Sequence, residues 1–239
     1  MHIFANPARF LKLARPLTLW LGVGGAVLIA LGLGSGLFLS PEDYLQGESV
    51  RILYVHVPAA WLAMGGWTGI ALASLSQLVW KHPLAGVAGR AIALPGAIFT
   101  ALCLITGSLW GRPTWGTYWE WDGRMTSMLI LLFLYVGYIA LAEADRERGG
   151  EGRVTAIFGL LGAINIPIIR YSVEWWNSLH QGQSISFSGG GSSIDTSMLW
   201  PLLASALGFS LLFGAIVLMR MRAILALQKV EARMRRLAA

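Results

Sequence analysis

Imidazole is the side chain best suited to ligate a transition metal near neutral pH, and this 239-residue chain carries four histidines beside a single cysteine. Cys103 lies inside an apolar run, so the chain can build neither an intramolecular disulfide nor a cysteine-only metal site. Any metal chemistry therefore rests on histidine. His2 stands at the N-terminus and His82 precedes Pro83 in a short connection, and neither is assigned a site. His56 lies in RILYVHVPAAW at 51–61, and His180 in YSVEWWNSLHQG at 171–182. A lone histidine at such a place is most simply a hydrogen-bonded packing residue. Two on the same side of the molecule, flanking an aromatic segment, suggest more.

That segment is WGRPTWGTYWEWDGR at 110–124, with four Trp and one Tyr beside Arg112, Glu120, Asp122 and Arg124. Trp115 and Trp119 are four apart, a spacing that a helical turn would turn into one flat apolar shelf. Pro113 and Gly116 predict entry by a turn before any helix begins. Three readings fit: a platform for a planar ligand, an interfacial aromatic belt, or a protein-docking surface. Asp122 is suited to capping or to a local salt bridge, and Arg124 to anchoring at the interface or meeting a ligand carboxylate.

The elements that must position these residues are membrane spans. The chain is 56% hydrophobic and only 13% charged, with a mean hydropathy of +0.62, against roughly 25% charged residues in ordinary soluble domains. This argues against a soluble enzyme. Six stretches reach the length of about 20 residues that a bilayer core requires: 17–39, 54–80, 88–110, 125–142, 154–171 and 197–219. The first is too long for a signal-peptide core and is read as a retained anchor. The net charge of +6 invites a nucleic-acid reading, but the basic residues alternate by loop. Fourteen of the 18 Lys and Arg fall in the N-terminus, the 81–90 and 143–153 loops and the tail from Arg220. Arg51, Arg112, Arg124 and Arg170 alone lie in the others. By the positive-inside rule both termini are cytoplasmic, and the loops at 40–53, 111–124 and 172–196 face the opposite side, the periplasm in a bacterium. His56, His180 and the Trp loop then share that side. The segment 220–239 spaces Ile224, Leu227, Val230, Met234 and Leu237 among basic residues, as expected of an amphipathic tail lying on anionic headgroups or docking a partner.

A planar ligand that uses aromatic walls and two imidazoles is haem, whose iron takes two axial nitrogens and whose propionates need cationic partners. Bis-His ligation leaves no open iron position, which suits holding and handing over. Zinc fits less well, with Glu174 as the only obvious helper. A transporter needs intramembrane charges or paired broken helices. The spans hold almost no charge away from their ends, although Pro95 and Pro167 could break the third and fifth. A purely structural membrane subunit is a further alternative.

The string at 110–124 resembles the WWD signature of the haem-handling proteins of cytochrome c maturation. HVPAAW at 56–61, NIPII at 165–169 and YSVEWWNSLHQG at 171–182 narrow the resemblance to the CcmC family, over essentially the full length. The resemblance implies an all-α polytopic protein of the bacterial inner membrane, residues 1–239 forming one six-helix domain with a periplasmic WWD loop. It implies haem b held by His56 and His180 as axial ligands, with Trp115, Trp119, Trp121 and Asp122 as the platform. Arg124, within the signature, is read as a propionate partner. It also implies presentation of haem for covalent attachment to the chaperone CcmE, with CcmD and the transporter subunits CcmA and CcmB as partners. Independent catalytic turnover is not implied.

Overall fold

The computed structural model describes residues 6–176, 178–180, 185–186 and 191–238. Its long helices are α1 (Pro7–Phe38), α2 (Leu53–Trp80), α3 (Ala85–Trp115), α4 (Gly123–Glu147) and α7 (Thr196–Ala238). The short α5 (Arg153–Gly162) and α6 (Asn165–Trp175) together make the fifth span. A 3₁₀ turn at Glu48–Ile52 leads into α2, and β1 (Ile185–Ser186) pairs antiparallel with β2 (Gly191–Ser192) in the last connection. Six helical segments are long and apolar enough to cross a membrane, matching the six expected.

Asn6 caps α1, its side chain accepting from the Ala8 N–H, and Pro7 follows where a missing N–H costs nothing. The helix therefore starts ten residues before the expected span and carries Arg9, Lys12 and Arg15 within it. Likewise α7 runs unbroken through the expected tail, with Glu231 paired to Arg146 of α4 at 2.9 Å. Met221, Ile224 and Leu225 pack with Phe10, Leu84 and Val87. The segment from 220 is thus continuous with the last apolar helix, α7.

Proline alone does not decide which spans break, since α1, α2 and α7 run on through Pro16, Pro58 and Pro201. Pro95 cannot donate to the Ala91 carbonyl, yet α3 is continuous, and the Arg220 Nε–H of α7 donates to the freed carbonyl at 2.9 Å. Pro167 likewise frees the Ala163 carbonyl. There the chain tightens instead, Ile166 N–H bonding to Ala163 at 3.1 Å, and α5 gives way to α6. Asn165, buried at the break, donates to the Ser127 carbonyl of α4 at 2.9 Å.

The core sits between α2, α3 and α4. Fully buried Trp67 meets Tyr135 edge-on at 4.9 Å, and the Tyr135 hydroxyl donates to the Ala63 carbonyl at 2.7 Å. The α1–α7 pair is closer still. A Cβ on Gly208 would lie 2.7 Å from the Ile29 backbone nitrogen, and one on Gly25 2.8 Å from that of Leu212. Small residues that let backbones approach are the membrane alternative to hydrophobic burial.

Two ends result. At one, Trp110 of α3 donates to Gln46 and Asp122 meets His180, so all three connections expected on a common side lie together. At the other, Gln77 donates to the Glu151 carbonyl and Arg146 pairs with Glu231.

Candidate functional site

The segment 110–124 is not one loop. Helix α3 continues through Pro113 to Trp115 and stops at Gly116, whose φ of +82° is a left-handed conformation that glycine adopts without strain. Residues 116–122 are non-helical and α4 begins at Gly123. The expected helical turn uniting Trp115 and Trp119 is therefore absent, and so is a turn preceding helix at Pro113. Trp115 instead ends α3 with its ring 4.7 Å from His180. Trp119 is half-buried, its indole N–H having no partner among the described residues. Trp121 stands 73% exposed, edge-on to Trp119 at 5.3 Å.

Asp122 is the N-cap of α4. One carboxylate oxygen accepts the Met125 N–H at 2.8 Å, while the other accepts from the Ser178 hydroxyl and from His180 Nδ1 at 2.7 Å. Ser178 also accepts the His180 backbone N–H at 3.1 Å, a local turn that folds the strand of connection back on itself. Burial pushes the Asp122 carboxyl up, but the hydrogen bonds from Ser178, Met125 and His180 outweigh it and hold it below the usual carboxylate range. The carboxylate is ionised, so His180 Nδ1 bears the proton. Burial, reinforced by Arg124, lowers the His180 pKa despite the neighbouring carboxylate. The ring is neutral, with Nε2 carrying the free lone pair.

His56 reaches the same chemical state by a different partner. Its Nδ1 lies 3.0 Å from Thr106 Oγ1, whose own proton goes to the Leu102 carbonyl at 2.7 Å. The hydroxyl can only accept from the ring, which places the proton on Nδ1 and the lone pair on Nε2. A Cβ on Gly107 would lie 2.9 Å from His56 Cε1, so the glycine makes room for the imidazole. Trp110 packs edge-on to the ring at 5.7 Å.

Both imidazoles thus flank the last turns of α3, His56 at Thr106 and Trp110, His180 at Trp115. Those contacts span nine residues, about 14 Å of helix. His56 lies within the fields of both His180 and Arg124. Arg124 is half-buried in the first turn of α4, and Trp176 occupies the space a side chain at Gly123 would need. Glu174 is drawn toward Arg170 at 3.7 Å, and no cluster of three metal-ligating side chains exists among the described residues. Thr106 and Gly107 lie outside every motif of the sequence and depend on packing between helices. Trp110 and Ser178 lie within the motifs at 110–124 and 171–182, where the sequence gives neither a separate role.

An all-helical, six-span membrane protein with two Nδ1-anchored imidazoles at one end defines the class. A family model described as CcmC, heme exporter protein C, matches residues 1–236, and the chain belongs to that family. It is 52% identical over 218 residues to the heme exporter protein C of Bradyrhizobium diazoefficiens, covering 91% of this chain and 82% of the relative. The Escherichia coli K12 protein of the same name is 45% identical over 229 residues, 96% of this chain and 92% of the relative. That of Paracoccus denitrificans is 41% identical over 237 residues, 99% and 95%.

Proposed function

We propose that this protein handles haem during cytochrome c maturation, holding it at the end of the bundle where His56 and His180 lie and presenting it for covalent attachment to the chaperone CcmE. The family to which the chain belongs supports the haem role. The observation that carries the site is that two histidines 124 residues apart each commit Nδ1 to a protein acceptor and keep Nε2 for a ligand. A protein acceptor on the far ring nitrogen is what fixes the orientation of a metal-ligating imidazole. Haem is the cargo here, and the residues suit it: two neutral nitrogen donors for iron, apolar walls from Trp115 and Trp119, and the guanidinium of Arg124 for a propionate.

The division of labour follows. Trp115 braces His180, and Asp122 joins the start of α4 to the ligand loop, so platform and ligand are tied together. Trp121, exposed beside Trp119, is placed to meet the chaperone. The loop charge bias puts this end on the periplasmic face of the bacterial inner membrane, with CcmD, CcmA and CcmB as the surrounding partners. The visible spectrum of detergent-purified protein tests the reading. The wild type should show six-coordinate low-spin haem, and His56→Ala and His180→Ala should each lose that spectrum. Retention of the full low-spin Soret band by both variants refutes the assignment.

A further inference from the structure

The two imidazoles share a tautomer but not a partner. His180 Nδ1–H donates to the ionised, 7% exposed Asp122, which is fixed by the Met125 N–H and the Ser178 hydroxyl. His56 Nδ1–H donates to a neutral hydroxyl, that of Thr106, at the longer distance of 3.0 Å against 2.7 Å. A hydrogen bond to a carboxylate is roughly twice as strong as one between neutral groups. It draws the Nδ1 proton outward, pushes electron density to Nε2 and so makes the ring a better donor to iron. A neutral hydroxyl does this less than a carboxylate, even though its own donation to Leu102 improves its oxygen as an acceptor.

We infer that the two axial positions are unequal by construction, His180 being the anchoring ligand and His56 the one surrendered when haem leaves, with Asp122 and Thr106 as the positioning residues that set the difference. This rests on the bis-His reading and deepens it by assigning an order of release. The fold supports the same order. Asp122 ties the His180 turn to the first turn of α4, and Trp115 closes on its ring. Thr106 merely steers His56 from within the neighbouring helix.

The test uses the purified full-length protein loaded with haem, comparing Asp122→Asn with Thr106→Val. Asp122 uses one oxygen for the Met125 N–H and the other for His180, and Asn has only one. With Nε2 on iron the Nδ1–H needs that oxygen, so the tautomer survives while the charge and the Met125 cap go. The readout is the haem reduction potential, which a merely structural role of Asp122 would leave unmoved. A better donor favours ferric iron. Asp122→Asn should therefore lower the preference for ferric over ferrous haem by about tenfold, an upward shift of about 59 mV for a one-electron couple, and Thr106→Val should move it several-fold less. As a second measurement, His180→Ala should release ferric haem to apomyoglobin about tenfold faster than His56→Ala, the lower end of the 10–100-fold in affinity that the hydrogen-bond partners of metal ligands are worth. Equal potential shifts, a larger shift in Thr106→Val, or faster release from His56→Ala overturns the inference. A wild-type complex that is not six-coordinate low-spin overturns the bis-His reading itself, a separate outcome visible before any variant is compared.

Discussion

At the scale of the residue, the site is governed by what sits behind each ligand. Gly107 is a sensitive point, because a methyl group there would press on His56 Cε1 at 2.9 Å. Crowding of this kind costs about 1–3 kcal/mol, so Gly107→Ala should weaken haem binding about tenfold while leaving membrane abundance unchanged, as read by haem titration against protein content. The Asp122–His180 pair also fixes a pH dependence in the haem-free protein. His180 titrates below its ordinary value of 6.5 in the folded state, so between the two values the unfolded chain binds the extra proton and acid favours unfolding. Asp122, also lowered, acts in the same direction at more acid pH. Thermal stability should therefore be full at neutral pH and decline as the pH falls through the ordinary histidine range. Melting curves of the haem-free protein from pH 8 to 5 measure it, with His180→Gln removing the upper part of the dependence.

At the scale of the element, helices are held by contacts that admit little substitution. The Ala91 carbonyl, freed by Pro95, depends on Arg220. Arg220→Leu leaves it without that donor, and such a loss costs about 1–3 kcal/mol when the group is shielded from water. The variant should melt several degrees lower in detergent while its haem spectrum, set at the opposite end, stays unchanged. Gly208→Val is expected to do more, since its side chain would meet the backbone of α1 rather than a flexible chain end. The expected spans were legible from apolar length alone. Their ends were not: α1, α3 and α7 run past the hydrophobic stretches because caps and interhelical partners, rather than hydropathy, decide where a helix stops. The break just before Pro167 and the continuity through Pro95 have the same sequence cue and opposite outcomes, and the Ala91 carbonyl freed by Pro95 meets a donor from a neighbouring helix while that of Ala163 is taken up by the local turn.

For the whole molecule, the sorting of connections into two ends gives the charge bias a geometric frame. In a Cys103→Ala background, Tyr44→Cys, at a side chain 90% exposed, should react with a membrane-impermeant maleimide added to spheroplasts. Glu151→Cys, at the other end, should react only after the membrane is opened. The reverse pattern would invert the orientation drawn from the loops.

Taken alone, the sequence determined the class of environment, the number of spans and the candidate ligands, because apolar length, loop charge and the scarcity of histidine are properties of the chain read in order. It also carried the family resemblance, in motifs at 56–61, 110–124, 165–169 and 171–182. Only the tertiary structure decided that Trp115 and Trp119 belong to different elements, that Asp122 caps α4 and holds His180 at once, and that Thr106 does a weaker version of the same for His56. The ties of Thr106 to His56 and of Asp122 to His180 join residues 50 and 58 positions apart, and they arise from helix packing and turn geometry that no local pattern encodes.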